Sequence, residues 1–176
     1  PLAEIAPDIT IPGQGAIGQC MRSLRDKGLD VVIKECIRNK PFLGICLGLQ
    51  SLLDTSAEDG GITGLGILPG KVVRFQDNVR DEHGDICKVP HMGWNRVHRR
   101  VGHPLWNGIE DGAWFYFVHS YYACPCNQQE IAATTQYTLE FTSAAARDNI
   151  FATQFHPEKS QKAGLTLLKN FLEWKI

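Results

Sequence analysis

The sequence has little that would suit a membrane or a nucleic acid. No apolar stretch in its 176 residues approaches the roughly 20 that a bilayer-spanning helix needs. The formal net charge is −1 and the densest basic run is the pair Arg99 and Arg100, so neither partner is expected. With 43% hydrophobic and 21% charged residues the composition is ordinary, and we expect residues 1–176 to form one domain.

Signals for export and for a metal site are also missing. No secretory leader opens the chain, so we expect a cytoplasmic protein whose six cysteines are reduced thiols. Cys124 and Cys126 are separated by one proline, which is not a zinc-binding spacing, and no second pair of cysteines or histidines complements them. We therefore expect no metal and no cofactor.

What is present is an alternation of strand-like and helix-like segments. Segment 8–15, DITIPGQG, is typical of a strand that ends in a glycine turn, and 16–28 has apolar residues at helical spacing. Segment 29–39 fits a strand by its β-branched residues and a helix by its apolar face. Its place between a helix and the next strand favours the helix. The wholly apolar 41–45 predicts an inner strand of a parallel sheet, and 47–55 predicts a helix.

The second half of the chain has a different character. After a glycine-rich connection at 59–70 we expect several shorter strands, with a hairpin turn in RDN at 147–149. The last segment predicts an amphipathic helix with Leu165, Leu168 and Leu172 on one apolar side. This order of elements implies an α/β domain with a parallel core sheet and an antiparallel extension.

The pattern GICLG at 44–48 places a cysteine between two glycines, after the apolar strand and before the helix. This is the layout of the nucleophile elbow G-x-S-x-G, with cysteine for serine. The tight turn strains its central residue, and side chains at Gly44 and Gly48 would collide. Cys46 is therefore a candidate nucleophile whose thiolate the positive helix end favours, and the Leu47 N–H would face an oxyanion. A small core cysteine is the alternative.

A nucleophilic cysteine needs a base, and the base needs a group that orients it. Of the six histidines, only His156 has a carboxylate two residues on, in TQFHPEKS at 153–160. Residues i and i+2 of an extended chain project to one side, and Pro157 keeps His156 out of the helical region, so Glu158 can fix the imidazole tautomer. A surface ion pair is the alternative. We interpret the other histidines as structural and expect exposure for His83, His98 and His103.

Together, PFLGICLGLQ at 41–50 and TQFHPEKS resemble the motifs of class I (triad-type) glutamine amidotransferases. PHMGWN at 90–95 and YFVHSYY at 116–122 narrow the resemblance to the glutaminase subunits of imidazole glycerol phosphate synthase, over nearly the whole chain. The resemblance implies a flavodoxin-like three-layer α/β fold. It also implies that glutamine is hydrolysed to glutamate, and that the ammonia passes to a cyclase subunit, a (β/α)8 barrel of histidine biosynthesis.

The same resemblance implies roles for individual residues. The catalytic triad is Cys46, His156 and Glu158. The oxyanion hole is formed at Leu47, Gln14 and Gly15. The residues that bind glutamine are Gln50, Glu58, Ser120 and Tyr121. The residues at the cyclase interface are Met92, Trp94 and Lys159.

Two features depart from the family pattern. A small apolar residue is usual where this chain has Gln14, which predicts an altered oxyanion hole. A side chain that points to solvent and leaves the hole unchanged is the alternative. Family members also carry further residues ahead of segment 8–15, including a strand that is central in their sheet. We therefore expect the domain to be incomplete at its N-terminus, with unpaired strand edges.

Three other interpretations stay open from the sequence. Another class I amidotransferase, serving pyridoxal phosphate, guanylate or anthranilate synthesis, disagrees with PHMGWN. A truncated, non-catalytic module that only docks to a partner disagrees with the retained cysteine, histidine and glutamate. A cysteine hydrolase or a redox-sensing thiol on the same scaffold leaves the His-Pro-Glu at the far strand end without a purpose.

Overall fold

The helices are short and belong mostly to the first and last parts of the chain. The computed structural model describes residues 9–13, 15–80 and 84–176. Its helices are α1 (Ile17–Asp26), α2 (Leu29–Cys36), α3 (Leu47–Leu52) and α4 (Gln161–Glu173). The helix predicted at 29–39 is thus confirmed as α2. No helix within the described ranges is long and apolar enough to cross a membrane.

Strands form the centre of the molecule, and those in the described ranges belong to a single eleven-stranded sheet. They are β1 (Ile9–Gly13), β2 (Phe42–Cys46), β3 (Thr55–Ser56), β4 (Ile62–Thr63), β5 (Gly70–Arg74), β6 (His91–Arg99), β7 (Ala113–His119), β8 (Tyr121–Pro125), β9 (Ile131–Gln136), β10 (Glu140–Arg147) and β11 (Ile150–Thr153). Two of them, β3 and β4, lie within or beside the segment that the sequence predicted only as a glycine-rich connection.

The sheet has a parallel core and an antiparallel extension, as predicted. β2 lies between β1 and β11 and is parallel to both, with Gly44 opposite Ile11 and Ala152. β11 returns antiparallel to β10 after a turn at Asp148 and Asn149, which confirms the predicted hairpin. From β10 the order continues through β8, β5, β3 and β4, while β6, β7 and β9 form a branch.

Two apolar clusters cover opposite faces of this sheet. Because side chains alternate along a strand, Phe42 packs with residues of α1 and α2, whereas Leu43 and Ile45 pack with residues of α4. β11 alternates in the same way: Ile150 belongs to the cluster of Phe42, and Phe151 belongs to the cluster of Leu43. Helices on both faces of a sheet make a three-layer α/β domain.

The C-terminal helix turns a different face inward from the one predicted. Leu165 is 65% exposed and Leu172 is 74% exposed, whereas Gly164 and Leu167 are buried. A Cβ at Gly164 would lie 1.9 Å from the carbonyl oxygen of Pro157, so the helix backbone rests directly on the turn after β11. The predicted apolar side is wrong for Leu165 and Leu172 but right for Leu168, which is partly buried and packs against the core beside Leu167.

Candidate active site

Cys46 occupies a strained turn between β2 and α3. Its backbone has φ 53° and ψ −101°, a left-handed conformation that non-glycine residues rarely adopt. A Cβ at Gly44 would lie 2.8 Å from the Gly48 carbonyl carbon, and one at Gly48 would lie 2.1 Å from the Ile11 oxygen. The two glycines therefore let strand and helix meet closely enough to hold this turn, as the elbow pattern predicted.

The Cys46 sulfur is buried and receives two hydrogen bonds. The residue is 6% exposed, and burial raises the pKa of its thiol to about 11, while the Leu47 N–H and Gln154 Nε2 lower it in part. The Nε2–Sγ distance is 3.6 Å. The N–H of Leu47 at the start of α3 does favour the thiolate, as expected, but desolvation of the sulfur is the larger effect and raises the pKa overall.

His156 and Glu158 form a close pair in the turn after β11. His156 Nδ1 lies 2.7 Å from Glu158 Oε1, with His156 1% exposed and the Glu158 side chain 44% exposed. The backbone fixes the histidine further, because its N–H donates to the Tyr116 carbonyl and its own carbonyl accepts from Ser160 Oγ. A carboxylate on Nδ1 holds the proton there and leaves Nε2 as the basic nitrogen.

The second imidazole nitrogen of His156 is available for chemistry. Nε2 is buried and has no hydrogen-bond partner among the residues that the structure describes. His156 and Cys46 line the same cavity of about 340 Å³. A buried nitrogen without a partner is costly in a resting fold unless a ligand or a reaction uses it.

Most residues that the sequence assigned to this site lie around that cavity. Its lining includes Gly15, Leu47, Gln50, Glu58, Ser120 and Tyr121. Gln14 lies outside the described residues. Two of the polar side chains already hold protein partners: Gln50 Nε2 donates to the Tyr121 carbonyl at 2.9 Å, and Glu58 Oε2 accepts from the Ile17 N–H at 3.0 Å. The cavity therefore joins the elbow, the start of α1 and the β7–β8 connection.

The three residues assigned to a partner interface lie at the surface instead. Met92 is 63% exposed and Trp94 is 42% exposed, both on β6. Lys159 is exposed in the turn after His156, with its Nζ 6.0 Å from the centre of the Tyr116 ring. The Trp94 and Tyr116 rings lie 6.1 Å apart, so these groups border one surface patch on the β6–β7 hairpin.

The sequence did not single out Gln154, which contacts the nucleophile, or the histidine pair behind it. His119 lines the cavity, and its Nε2 lies 3.0 Å from Nδ1 of His91. Burial lowers the pKa of His91 to about 4 and that of His119 to about 3, so both are neutral. The signal for Gln154 was its place two residues before His156 on an extended segment, the spacing that drew attention to Glu158.

Two histidine expectations can be compared with the structure. His98 is exposed, as predicted, while His83 lies outside the described residues. His103 is not exposed: its ring centre is 4.6 Å from that of Phe151 and 4.8 Å from that of Trp174. Burial lowers its pKa to about 4. In the described part of the chain, no group of three or more potential ligands could hold a metal ion.

Comparison with known proteins identifies the family. The family model for class I glutamine amidotransferases matches residues 20–174. Among solved structures, a glutamine amidotransferase superposes with a TM-score of 0.65 at 17% identity, over 93% of this chain and 76% of its own. The glutaminase domain of the Trypanosoma brucei CTPS, solved with bound acivicin, gives 0.61 at 16% identity, over 99% of this chain and 74% of its own. These two likenesses establish the fold.

Curated relatives are much closer in sequence. The imidazole glycerol phosphate synthase subunit HisH of Nitrosospira multiformis is 54% identical over 97% of this chain and 80% of its own length. The same subunit of Methylococcus capsulatus is 51% identical over 95% of this chain and 77% of its own length. The chain therefore belongs to the class I glutamine amidotransferases and, within them, to the HisH subunits of imidazole glycerol phosphate synthase.

Proposed function

We propose that Cys46, His156 and Glu158 hydrolyse glutamine to glutamate and ammonia. The observation that carries this assignment is that His156 and Cys46 line one cavity, with His156 Nδ1 held by Glu158 and Nε2 buried without a partner among the described residues. A base with one nitrogen oriented and the other free beside a strained nucleophile is the arrangement that acyl transfer requires.

The raised pKa of the Cys46 thiol makes the base essential. A thiol with a pKa of about 11 is almost entirely protonated at neutral pH. His156 Nε2 takes this proton as the sulfur bonds to the side-chain amide carbon of glutamine. The tetrahedral intermediate then breaks its C–N bond, and the imidazolium returns the proton to the departing ammonia. Water, deprotonated by the same nitrogen, hydrolyses the thioester to glutamate and the free thiol.

Backbone N–H groups stabilise the negative oxygen of the tetrahedral intermediate. One is the N–H of Leu47, which contacts the sulfur in the resting enzyme. A second is proposed at Gly15, which has φ 111° and lines the cavity. The resemblance also assigns Gln14, which lies outside the described residues. Such donors act on charge that develops only during the reaction, so they lower its barrier.

Glutamine itself carries an ammonium and a carboxylate that need partners. In our proposal the Glu58 carboxylate attracts the ammonium, and the backbone at Ser120 and Tyr121 binds the carboxylate. Gln50 holds the Tyr121 carbonyl in place. All four residues line the cavity, whose volume of about 340 Å³ is in the range of small-molecule sites.

The ammonia is delivered to a cyclase subunit, a (β/α)8 barrel that forms imidazole glycerol phosphate and aminoimidazole carboxamide ribotide in histidine biosynthesis. We propose that the partner docks on the exposed patch that includes Met92, Trp94 and Lys159. We also propose that residues 1–176 act as one amidotransferase domain in the cytoplasm. The two apolar clusters on a single sheet and the free thiols of all six cysteines support this.

The test is glutamate release from glutamine, measured with and without the cyclase subunit and its nucleotide substrate. Cys46→Ala should abolish release while leaving cyclase binding and ammonia-driven cyclisation by the partner intact. Cys36→Ala is a matched control because it also removes a buried thiol, from α2 rather than from the cavity, and should keep activity.

Two results would contradict the proposal. Glutamate release by Cys46→Ala would remove Cys46 as the nucleophile. Failure of a glutamine-analogue electrophile to label Cys46 in the presence of the partner would support a docking module in place of an enzyme.

A further inference from the structure

We propose that Gln154 is a further catalytic residue of the glutaminase reaction, which holds a hydrogen-bond donor on the Cys46 sulfur and stabilises it as a thiolate. The inference rests on the proposed function, because it concerns the same nucleophile. Gln154 is fully buried, and its Nε2 lies 3.6 Å from Cys46 Sγ. It is not among the described residues that line the cavity, so it acts on the sulfur from the protein side.

The hydrogen-bond network decides which end of the Gln154 amide faces the sulfur. Gln50 Nε2 lies 2.9 Å from the Tyr121 carbonyl, which can only accept, so this end of Gln50 is the nitrogen. The same nitrogen lies 3.1 Å from the Gln154 side chain and donates to Oε1. The NH2 of Gln154 is therefore directed at Cys46, as a donor.

The histidine pair supports this orientation from further away. His119 Nδ1 also lies 2.8 Å from the Tyr121 carbonyl and donates to it. Its Nε2 is then an acceptor for His91 Nδ1 at 3.0 Å, and Asn95 Nδ2 lies 3.2 Å from His91 Nε2. The carbonyl that orients Gln50 is thus held by two donors, and the chain of contacts continues to the β6–β7 hairpin.

Gln154 can donate a hydrogen bond to the Cys46 sulfur during the whole reaction, which Leu47 cannot. Both residues donate to the resting sulfur. When the tetrahedral intermediate forms, the proposed oxyanion requires the Leu47 N–H, whereas Gln154 has no access to substrate. Gln154 therefore remains the donor for the sulfur when the thiolate forms and again when it leaves the thioester. Hydrogen bonds to a charged acceptor are stronger than those to a neutral one.

Other ionisable groups also act on this sulfur and must be kept constant in a test. Glu158 raises the pKa of the Cys46 thiol and Lys159 lowers it. His156, His119 and Glu58 line the same cavity. A substitution at Gln154 leaves these ionisable side chains in place. A change in the ionisation of the Cys46 thiol is therefore caused by loss of the hydrogen bond from the Gln154 NH2.

The experiment measures alkylation of Cys46 by iodoacetamide as a function of pH, with the modified peptide quantified by mass spectrometry. This reaction needs neither glutamine nor turnover. In Gln154→Leu the midpoint of the profile should rise by about one pH unit, because the thiolate loses a charge-assisted hydrogen bond. Below the midpoint this shift is measured as an alkylation rate about tenfold lower at each pH. Thr153→Val is the matched control: it removes a buried hydroxyl one residue away, which bonds to the Phe155 carbonyl and not to sulfur.

A second variant covers the outcome in which Gln154→Leu does not fold. Gln50→Met leaves Gln154 in place but removes the donor that orients its amide, and should raise the midpoint by a smaller amount. If Gln50 served only glutamine binding, this variant would raise the KM and leave alkylation unchanged. Unchanged midpoints in the folded variants would overturn the role of Gln154, while loss of glutaminase activity in Cys46→Ala would still stand.

Discussion

Two buried histidines border the same cavity, and they have opposite surroundings. His156 has a carboxylate on Nδ1 and, within the described part of the chain, no partner on Nε2, whereas His119 has a carbonyl on Nδ1 and another imidazole on Nε2. Their exposed fractions are similar, 1% and 6%, so burial does not distinguish them. The two rings differ in the number of imidazole nitrogens that have a hydrogen-bond partner in the described part of the chain.

This difference separates a base from a structural group. His119 satisfies both nitrogens as a neutral ring, and a proton added to it would meet another imidazole instead of a carboxylate. In His156 the Glu158 carboxylate stabilises the protonated ring, and the residue lines the cavity proposed to bind substrate. Partners, rather than residue type or depth, therefore decide which histidine can take the Cys46 proton.

The largest expected effect comes from one substitution made at both histidines. Asparagine can place its amide near the Nδ1 position but has no group at Nε2. We expect His156→Asn to lower the kcat of glutamine hydrolysis about ten-thousandfold, because the general base is lost. His119→Asn keeps a donor for the Tyr121 carbonyl and should lower kcat less than about tenfold. Equal losses in the two folded variants would contradict the comparison.

A smaller effect is expected from removing the charge of the carboxylate alone. In Glu158→Gln the imidazolium that forms during the reaction loses its counter-charge, and the tautomer is less firmly held. We expect kcat to fall about a hundredfold, with a lesser change in the KM for glutamine, since Glu158 acts through His156. Steady-state glutamate release over a range of glutamine concentrations measures both constants. An unchanged kcat would exclude Glu158 from the triad.

The last expected effect concerns the free energy of unfolding in acid and not the kcat of the reaction. His91, His103 and His119 have pKa values of about 4, 4 and 3 in the fold, against an ordinary value of 6.5, so the unfolded chain binds more protons below pH 6.5. The free energy of unfolding should therefore fall as the pH drops from 6.5 towards 4, by at most about 1.4 kcal/mol per pH unit for each histidine.

His119→Asn tests this expectation because it removes one of the three titrating rings. Urea unfolding of both proteins at several pH values between 4 and 7 should show a shallower pH dependence for the variant. Its stability at pH 7 should also be lower, since His91 Nδ1 loses its acceptor. A pH dependence that is the same in both proteins would show that His119 does not stay neutral in the folded chain.

Much of the fold could be predicted because local patterns agreed with it. The apolar segment at 41–45, the glycines around Cys46 and the turn at Asp148 each produced the element that the sequence indicated. The inward face of α4 could not be predicted from leucine spacing, since Gly164 makes the closest contact and has no side chain to signal it. The same limit applies wherever a backbone packs directly on a backbone.

The site was predictable where residues lie close in sequence, and less so where the fold assembles them. The His156–Glu158 spacing and the elbow are local motifs. The contacts of Gln154 with Cys46 and of His91 with His119 join residues 108 and 28 positions apart, which no local pattern reports. The raised pKa of the Cys46 thiol also depends on how deeply the fold buries the sulfur. The local elbow motif shows that a helix begins there, but it does not show this burial.

The contact between β1 and α3 has a consequence for how fast the site can change. A Cβ at Gly48 would lie 2.1 Å from the Ile11 oxygen, and one at Gly13 would lie 2.6 Å from the Leu47 Cβ. β1 therefore packs directly on the start of α3, with the Ile11 carbonyl against Gly48 and Gly13 against the Leu47 side chain. Rotamer flips, which take nanoseconds or less, cannot adjust that spacing. A change in the distance between Gly15 and the Leu47 N–H of the proposed oxyanion hole is therefore a main-chain movement, and loop movements of this kind take about nanoseconds to microseconds.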